Sequence, residues 1–155
     1  RTYHNLYGIS VNVLRFFTVY GPRQRPDMAI HKFVRLIETG KPVPFFGGGN
    51  TARDYTYFED IINGVVAAID RDFGFEIFNL GEARTTTLAA LVAIIEKILG
   101  KKANLEKMPS QAGDVEITCA DVTKAKKMLS YNPSTKVEDG ISEFVKWFRT
   151  INFSR

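Results

Sequence analysis

Apolar positions recur along this 155-residue chain with two periods, near two and near 3.6, and the switches between them predict its elements. Ser10 to Phe17 is rich in β-branched and aromatic residues and nearly continuously apolar, and closes at Tyr20-Gly21-Pro22, which predicts a strand covered on both faces. From Met28 to Thr39, Ile30, Phe33, Val34 and Ile37 fall at helical spacing until Gly40 and Pro42 stop the run. Val43 to Phe46 reads as a short strand entering the turn Gly47-Gly48-Gly49-Asn50, and Arg53 to Tyr57 alternates as a second strand. A helix over Phe58 to Ile69 and a compact strand over Glu76 to Leu80 follow.

Thr87 has the character of a helix cap before the stripe Leu88, Leu91, Ile94, Ile95 and Ile98, which runs to Gly100. A strand over Asn104 to Met108, an irregular stretch over Pro109 to Asp114, and helices over Asp121 to Leu129 and Val137 to Phe148 complete the chain. The last helix carries Phe144, Trp147 and Phe148 on its apolar side. Strands alternating with helices define an α/β architecture with few strands to fill a sheet. Thr2 to Tyr7 resembles the tail of a helix whose beginning lies elsewhere, so the expectation is a cut chain.

Composition narrows the picture. With 45% hydrophobic residues the chain can bury a core of ordinary size, and no apolar run approaches the roughly 18 to 20 residues needed to span a bilayer. The single cysteine, Cys119, cannot form an internal disulfide, which makes the cytoplasm the expected compartment. The net charge of +4 suits an anionic partner. The lysine cluster at Lys101, Lys102, Lys124, Lys126 and Lys127 is broken by acids and lacks interleaved aromatics, so a solvated face, and not nucleic-acid binding, is expected. His4 and His31 lack partners at metal-ligand or triad spacing, and no metal is expected.

Three segments are chemically loaded. Arg23 to Asp27 follows a strand end, the usual place for ligands of open parallel sheets. Gly47 to Asp54 pairs a flexible backbone with Arg53, whose fork suits phosphate, and Gln111 to Asp114 offers a carboxylate to sugar hydroxyls. No G-x-G-x-x-G runs from a strand into a helix, which excludes a complete dinucleotide fold.

Four stretches, RFFTVYGPRQRPDMA at Arg15 to Ala29, GGGNTARDYTYFEDI at Gly47 to Ile61, FNLG at Phe78 to Gly81 and QAGDVEITCAD at Gln111 to Asp121, together resemble the NAD-dependent epimerase/dehydratase family. The resemblance covers nearly the whole chain. It implies the carboxy-terminal, sugar-nucleotide-binding part of an extended short-chain dehydrogenase/reductase, residues 1–155 as one piece, with the last strands of the large sheet. The NAD-binding Rossmann half and the catalytic tyrosine, lysine and serine or threonine would lie upstream, leaving no catalytic residue here. In the parent the tyrosinate would take the C4 hydroxyl proton as hydride passes to NAD, and return from the opposite face would invert C4.

The resemblance also distributes roles. Phe17 and Val19 would border the nicotinamide, and Thr18 the pyranose. Arg25 would lie near the sugar's substituents, where a guanidinium suits a carboxylate and favours UDP-glucuronate over UDP-glucose. Pro44 and Phe46 would meet uracil, Arg53 the diphosphate and Asp114 the ribose. Gln111 replaces an arginine common in hexose epimerases, and Asp60 and Asp121 would be local anchors. The expected whole is a homodimeric UDP-sugar 4-epimerase. A dehydratase or decarboxylase on the same scaffold, or a non-catalytic RNA-binding or scaffold relative, are the alternatives.

Overall fold

The strands pair two by two in the computed structural model, which describes residues 1–153. In chain order the elements are α1 (Thr2–Tyr7), β1 (Val11–Phe16), β2 (Thr18–Tyr20), α2 (Ala29–Glu38), β3 (Pro42–Phe46), β4 (Ala52–Arg53) and β5 (Tyr55–Tyr57). Then come α3 (Phe58–Ile69), β6 (Phe75–Leu80), β7 (Thr86–Thr87), α4 (Leu88–Leu99), β8 (Asn104–Met108), α5 (Thr123–Leu129) and α6 (Val137–Phe153). β1 lies parallel to β6 with Val11 opposite Phe75 and Phe16 opposite Leu80. β2 and β5, and β3 and β8, are also parallel pairs, and β4 and β7 are antiparallel.

Two apolar bodies result. The first gathers α2, α4 and α6 around the strands β2, β3 and β5, burying Tyr20, Ile30, Val34, Leu91, Ile95 and Phe144. The apolar stripe of α2 supplies Ile30, Phe33, Val34 and Ile37 to it, as helical spacing requires. The Thr87 side chain accepts from the Ala90 amide at 3.1 Å, a cap that contributes about 1 kcal/mol, and Gly100 closes α4 in the left-handed region. The second body sits between α3, β6 and α5 and buries Ile61, Phe78, Leu80, Leu129 and Tyr131.

Several expectations need correcting. The predicted strand at Ser10–Phe17 is not covered on both faces: among the described residues β6 alone pairs with it, and Val13 and Phe16 are exposed. The chain bends at Phe17 and continues as β2 in a different sheet, so one apolar run serves two pairings. The predicted strand at Arg53–Tyr57 breaks at Asp54, whose carboxylate turns inward to accept four hydrogen bonds. The last helix runs five residues beyond Phe148, and α5 starts at Thr123, where Asp121 Oδ1 accepts from the Thr123 amide at 2.9 Å.

Candidate functional site

The site begins with alternation in β3. Pro44 and Phe46 fall two residues apart and so share a face of the strand. Beyond Phe46 the chain turns sharply through Gly47, Gly48 and Gly49, all at positive φ. A side chain at Gly49 would collide with the Phe45 ring and Ala89, so glycine is required both by conformation and by close approach. The turn delivers β4 alongside β7, with Arg53 opposite Thr86.

From there neighbours face opposite ways. Arg53 and Tyr55 point to one side, and Asp54 between them to the other. Asp54 Oδ1 accepts from the Glu82 amide at 2.8 Å and from Thr56 Oγ1 at 3.0 Å; Oδ2 accepts from the amides of Ala83 at 3.0 Å and Ala120 at 2.9 Å. Gly81 has no room for a side chain, because Asp54 and Ala120 press against it. A wholly buried carboxylate with four donors thus fixes the strand that presents Arg53.

The segment from Pro109 to Thr118 closes the other side. It is pinned by the Ala52 amide on the Glu116 carbonyl at 2.8 Å and by the Thr118 amide on the Ala52 carbonyl at 3.1 Å. Asp114 follows a turn in which its amide donates to the Gln111 carbonyl at 3.2 Å. Its Oδ1 accepts from Arg53 Nη2 at 2.6 Å, while Arg53 Nη1 donates to the Ala52 carbonyl at 2.8 Å.

Thr18, Pro44, Phe46, Arg53, Gln111 and Asp114 thereby line one cavity of about 390 Å³. They come from β2, β3, β4 and the 109–118 segment, and combine an aromatic surface, a guanidinium, an amide and a carboxylate. Such a set can stack a base, pair with phosphate and accept from hydroxyls. A more open hollow of about 520 Å³, beside Ser10, Asn12 and Arg71, offers one cation, and Arg71 donates to the Met128 carbonyl.

Arg25, Phe17 and Val19 stand outside the lining. The Arg25 side chain is 75% exposed and donates to Asp27 at 3.0 Å, a pairing the short spacing of Arg25-Pro26-Asp27 allows. Phe17 and Val19 pack against the second core, with the Phe17 amide on the Leu80 carbonyl. Asp60 accepts from the amides of Ser134 at 3.3 Å and Thr135 at 3.1 Å. Buried His31 meets the Gln24 carbonyl at 2.7 Å amid Phe144, Trp147 and Phe148. Cys119 is exposed.

Tyr55 and Lys32 also line the cavity, and reasoning from sequence missed both. Tyr55 stands two residues from Arg53 on the same side of an alternating stretch, a signal that was available. Burial pushes its phenol up to about 12, with the nearby Arg53 charge acting the other way. Lys32 lies one turn beyond Met28 on a helix whose apolar spacing drew attention to its core face instead.

The chain belongs to the NAD dependent epimerase/dehydratase family, whose model matches residues 1–81. A UDP-glucuronate 4-epimerase of Thermodesulfobacterium geofontis is 43% identical over 147 residues, which are 94% of this chain and 45% of that protein. The UDP-glucuronic acid 4-epimerase of Bacillus cereus, solved with UDP-glucuronic acid and NAD, superposes with a TM-score of 0.91 at 36% identity over 97% of this chain and 48% of its own. The UDP-glucose 4-epimerase of Thermotoga maritima, solved with UDP-glucose, gives 0.91 at 33% identity over 97% and 49%. The α/β fold is therefore that of the extended short-chain dehydrogenase/reductase epimerases. The chain spans about half the length of the relatives it matches.

Proposed function

We propose that this chain is the carboxy-terminal, sugar-nucleotide-binding part of an NAD-dependent UDP-sugar 4-epimerase, with UDP-glucuronate the favoured substrate and UDP-glucose the next. One observation carries the reading: five of the six residues assigned in advance to uracil, ribose, diphosphate and sugar, namely Thr18, Pro44, Phe46, Arg53 and Asp114, lie around a single cavity. Phe46 would offer its ring to the base, Arg53 its guanidinium to the diphosphate, and Asp114 its carboxylate to the ribose. On binding, Arg53 would exchange Asp114 for phosphate, freeing Asp114 for the hydroxyls. Thr18 would touch the pyranose while leaving it free to rotate, a contribution of positioning.

NAD would supply the reversible oxidation at C4. Among the described residues no strand passes through a glycine-rich turn into a helix, so the pyrophosphate cradle is proposed to lie in the part of the protein this chain does not include. Phe17 and Val19, at the exit of β1, where ligands of parallel sheets gather, are proposed to contribute an edge of the nicotinamide site. The family resemblance supports a homodimer, and the single cysteine, Cys119, supports a cytoplasmic location. No described helix is long and apolar enough to cross a membrane.

Calorimetric titration with UDP and UDP-glucuronate tests the reading. Both should bind, and Arg53→Ala should weaken both by about 10- to 100-fold, the loss expected for a charged hydrogen-bonded pair. Arg25→Ala should spare UDP and reduce only the uronate. Salt-sensitive binding of RNA with indifference to UDP would overturn the assignment.

A further inference from the structure

Among the described residues, every charged side chain lining the nucleotide cavity is paired except one. Arg53 is bonded to Asp114, and Asp27 at the rim is held by Arg25. Lys32 lines the same cavity, is half-buried, and its ammonium makes no ion pair or hydrogen bond with any described residue. The two pairs cancel within themselves, so the cavity's uncompensated charge is the Lys32 ammonium. It extends from the first turn and a half of α2, whose N-terminus adds a partial charge of the same sign, and Ala29 of that first turn is itself in the lining.

We infer that Lys32 binds the diphosphate of the incoming nucleotide and is the first cation that the diphosphate engages. This rests on the sugar-nucleotide reading above and adds a residue to it. Arg53 can reach phosphate only by giving up a 2.6 Å contact with Asp114, so part of what it gains is offset by what it loses. Lys32 gives up only water. Its partial burial also raises the cost of leaving the ammonium without a counter-charge, and an arriving anion removes that cost. Lysine serves here as a point charge, needing no particular approach geometry, which suits a first contact.

Calorimetry on this chain with uridine, UDP and UDP-glucuronate separates the outcomes, using Lys32→Met, Lys32→Arg and Arg53→Ala, with thermal melts to confirm that each variant is folded. Lys32→Met should weaken UDP and UDP-glucuronate by about tenfold each and leave uridine unchanged, and Lys32→Arg should restore most of the loss. An equal loss for uridine would show that Lys32 acts by packing and would overturn the inference. A loss confined to UDP-glucuronate would assign Lys32 to the sugar carboxylate and overturn it as well. If Lys32→Met binds UDP normally while Arg53→Ala does not, the inference fails and the site reading survives. If the unaltered chain binds uridine and neither nucleotide, both fail.

Discussion

The body around α2, α4 and α6 and the body around β1, β6 and α3 are built from similar apolar patterns and finish differently. In the first, Ile30, Val34, Leu91, Ile95 and Phe144 are all but inaccessible. In the second, Phe78 and Leu80 are equally buried, yet Phe16 is 52% exposed, and Ile62, Val66 and Ile69 line up at helical spacing on the outer side of α3 with Ile69 at 74%. The cavity belongs to the first body, where packing is complete and a binding geometry can be held. The outer face of the second has the make-up of an interaction surface, since grouped apolar side chains in water are unusual where nothing is bound.

The sharpest way to break this comparison is to remove a large ring from each body. Phe144→Ala should cost about 3–5 kcal/mol in urea unfolding, the usual range for emptying a packed aromatic site, while Phe16→Ala should stay within about 0.5 kcal/mol. Similar losses would mean that the two bodies are equally packed in solution.

A smaller effect should appear where the bodies meet, at Glu82. Its side chain is 6% exposed, Oε1 is held by Arg84, and Oε2 is buried with no hydrogen-bond partner among the described residues. Burial pushes this carboxyl above the usual range; Arg84 opposes the shift, and Asp60 and Asp54 add to it. A carboxyl whose pKa is higher in the folded chain than in the unfolded one favours folding while protonated. That contribution is complete below its unfolded value and is lost as pH rises through the folded one. Urea unfolding between pH 4 and 8 should therefore show a decline with rising pH that Glu82→Gln flattens. A parallel profile in the variant would remove Glu82 as its source.

The smallest expected change in stability comes from Val66→Lys on the outer face of α3, within about 0.5 kcal/mol. Sedimentation should nonetheless show less self-association, because a charge interrupts the apolar stripe. Unchanged sedimentation would mean that the stripe is inert in the isolated chain.

Elements whose limits are set locally were legible from sequence. α3 and β8 match their predicted bounds, and α2 and α4 come within a residue, because Gly40, Thr87 and Gly100 act on their own neighbours. What escaped depends on distant partners. The break at Asp54 is dictated by amides of Glu82, Ala83 and Ala120, none of them near in sequence. The division of one apolar run into β1 and β2 is dictated by β6 and β5. Composition and spacing alone supported no more than an anionic ligand at three loops. The assignment of Thr18, Pro44, Phe46, Arg53 and Asp114 came through resemblance, and their convergence depends on pairings between segments far apart in the chain.

Asp54 carries a final consequence. Its backbone lies between two residues that line the cavity, its carbonyl accepts from the Thr18 amide, and its carboxylate ends in the second body beside Gly81 and Ala120. Asp54 therefore fastens the two cores to each other at this point. Neither can open at this point without stripping four donors from a buried charge, so loss of structure should spread from one core to the other in one cooperative step. A ligand that steadies Arg53 would, through the same residue, slow hydrogen exchange at amides it never touches.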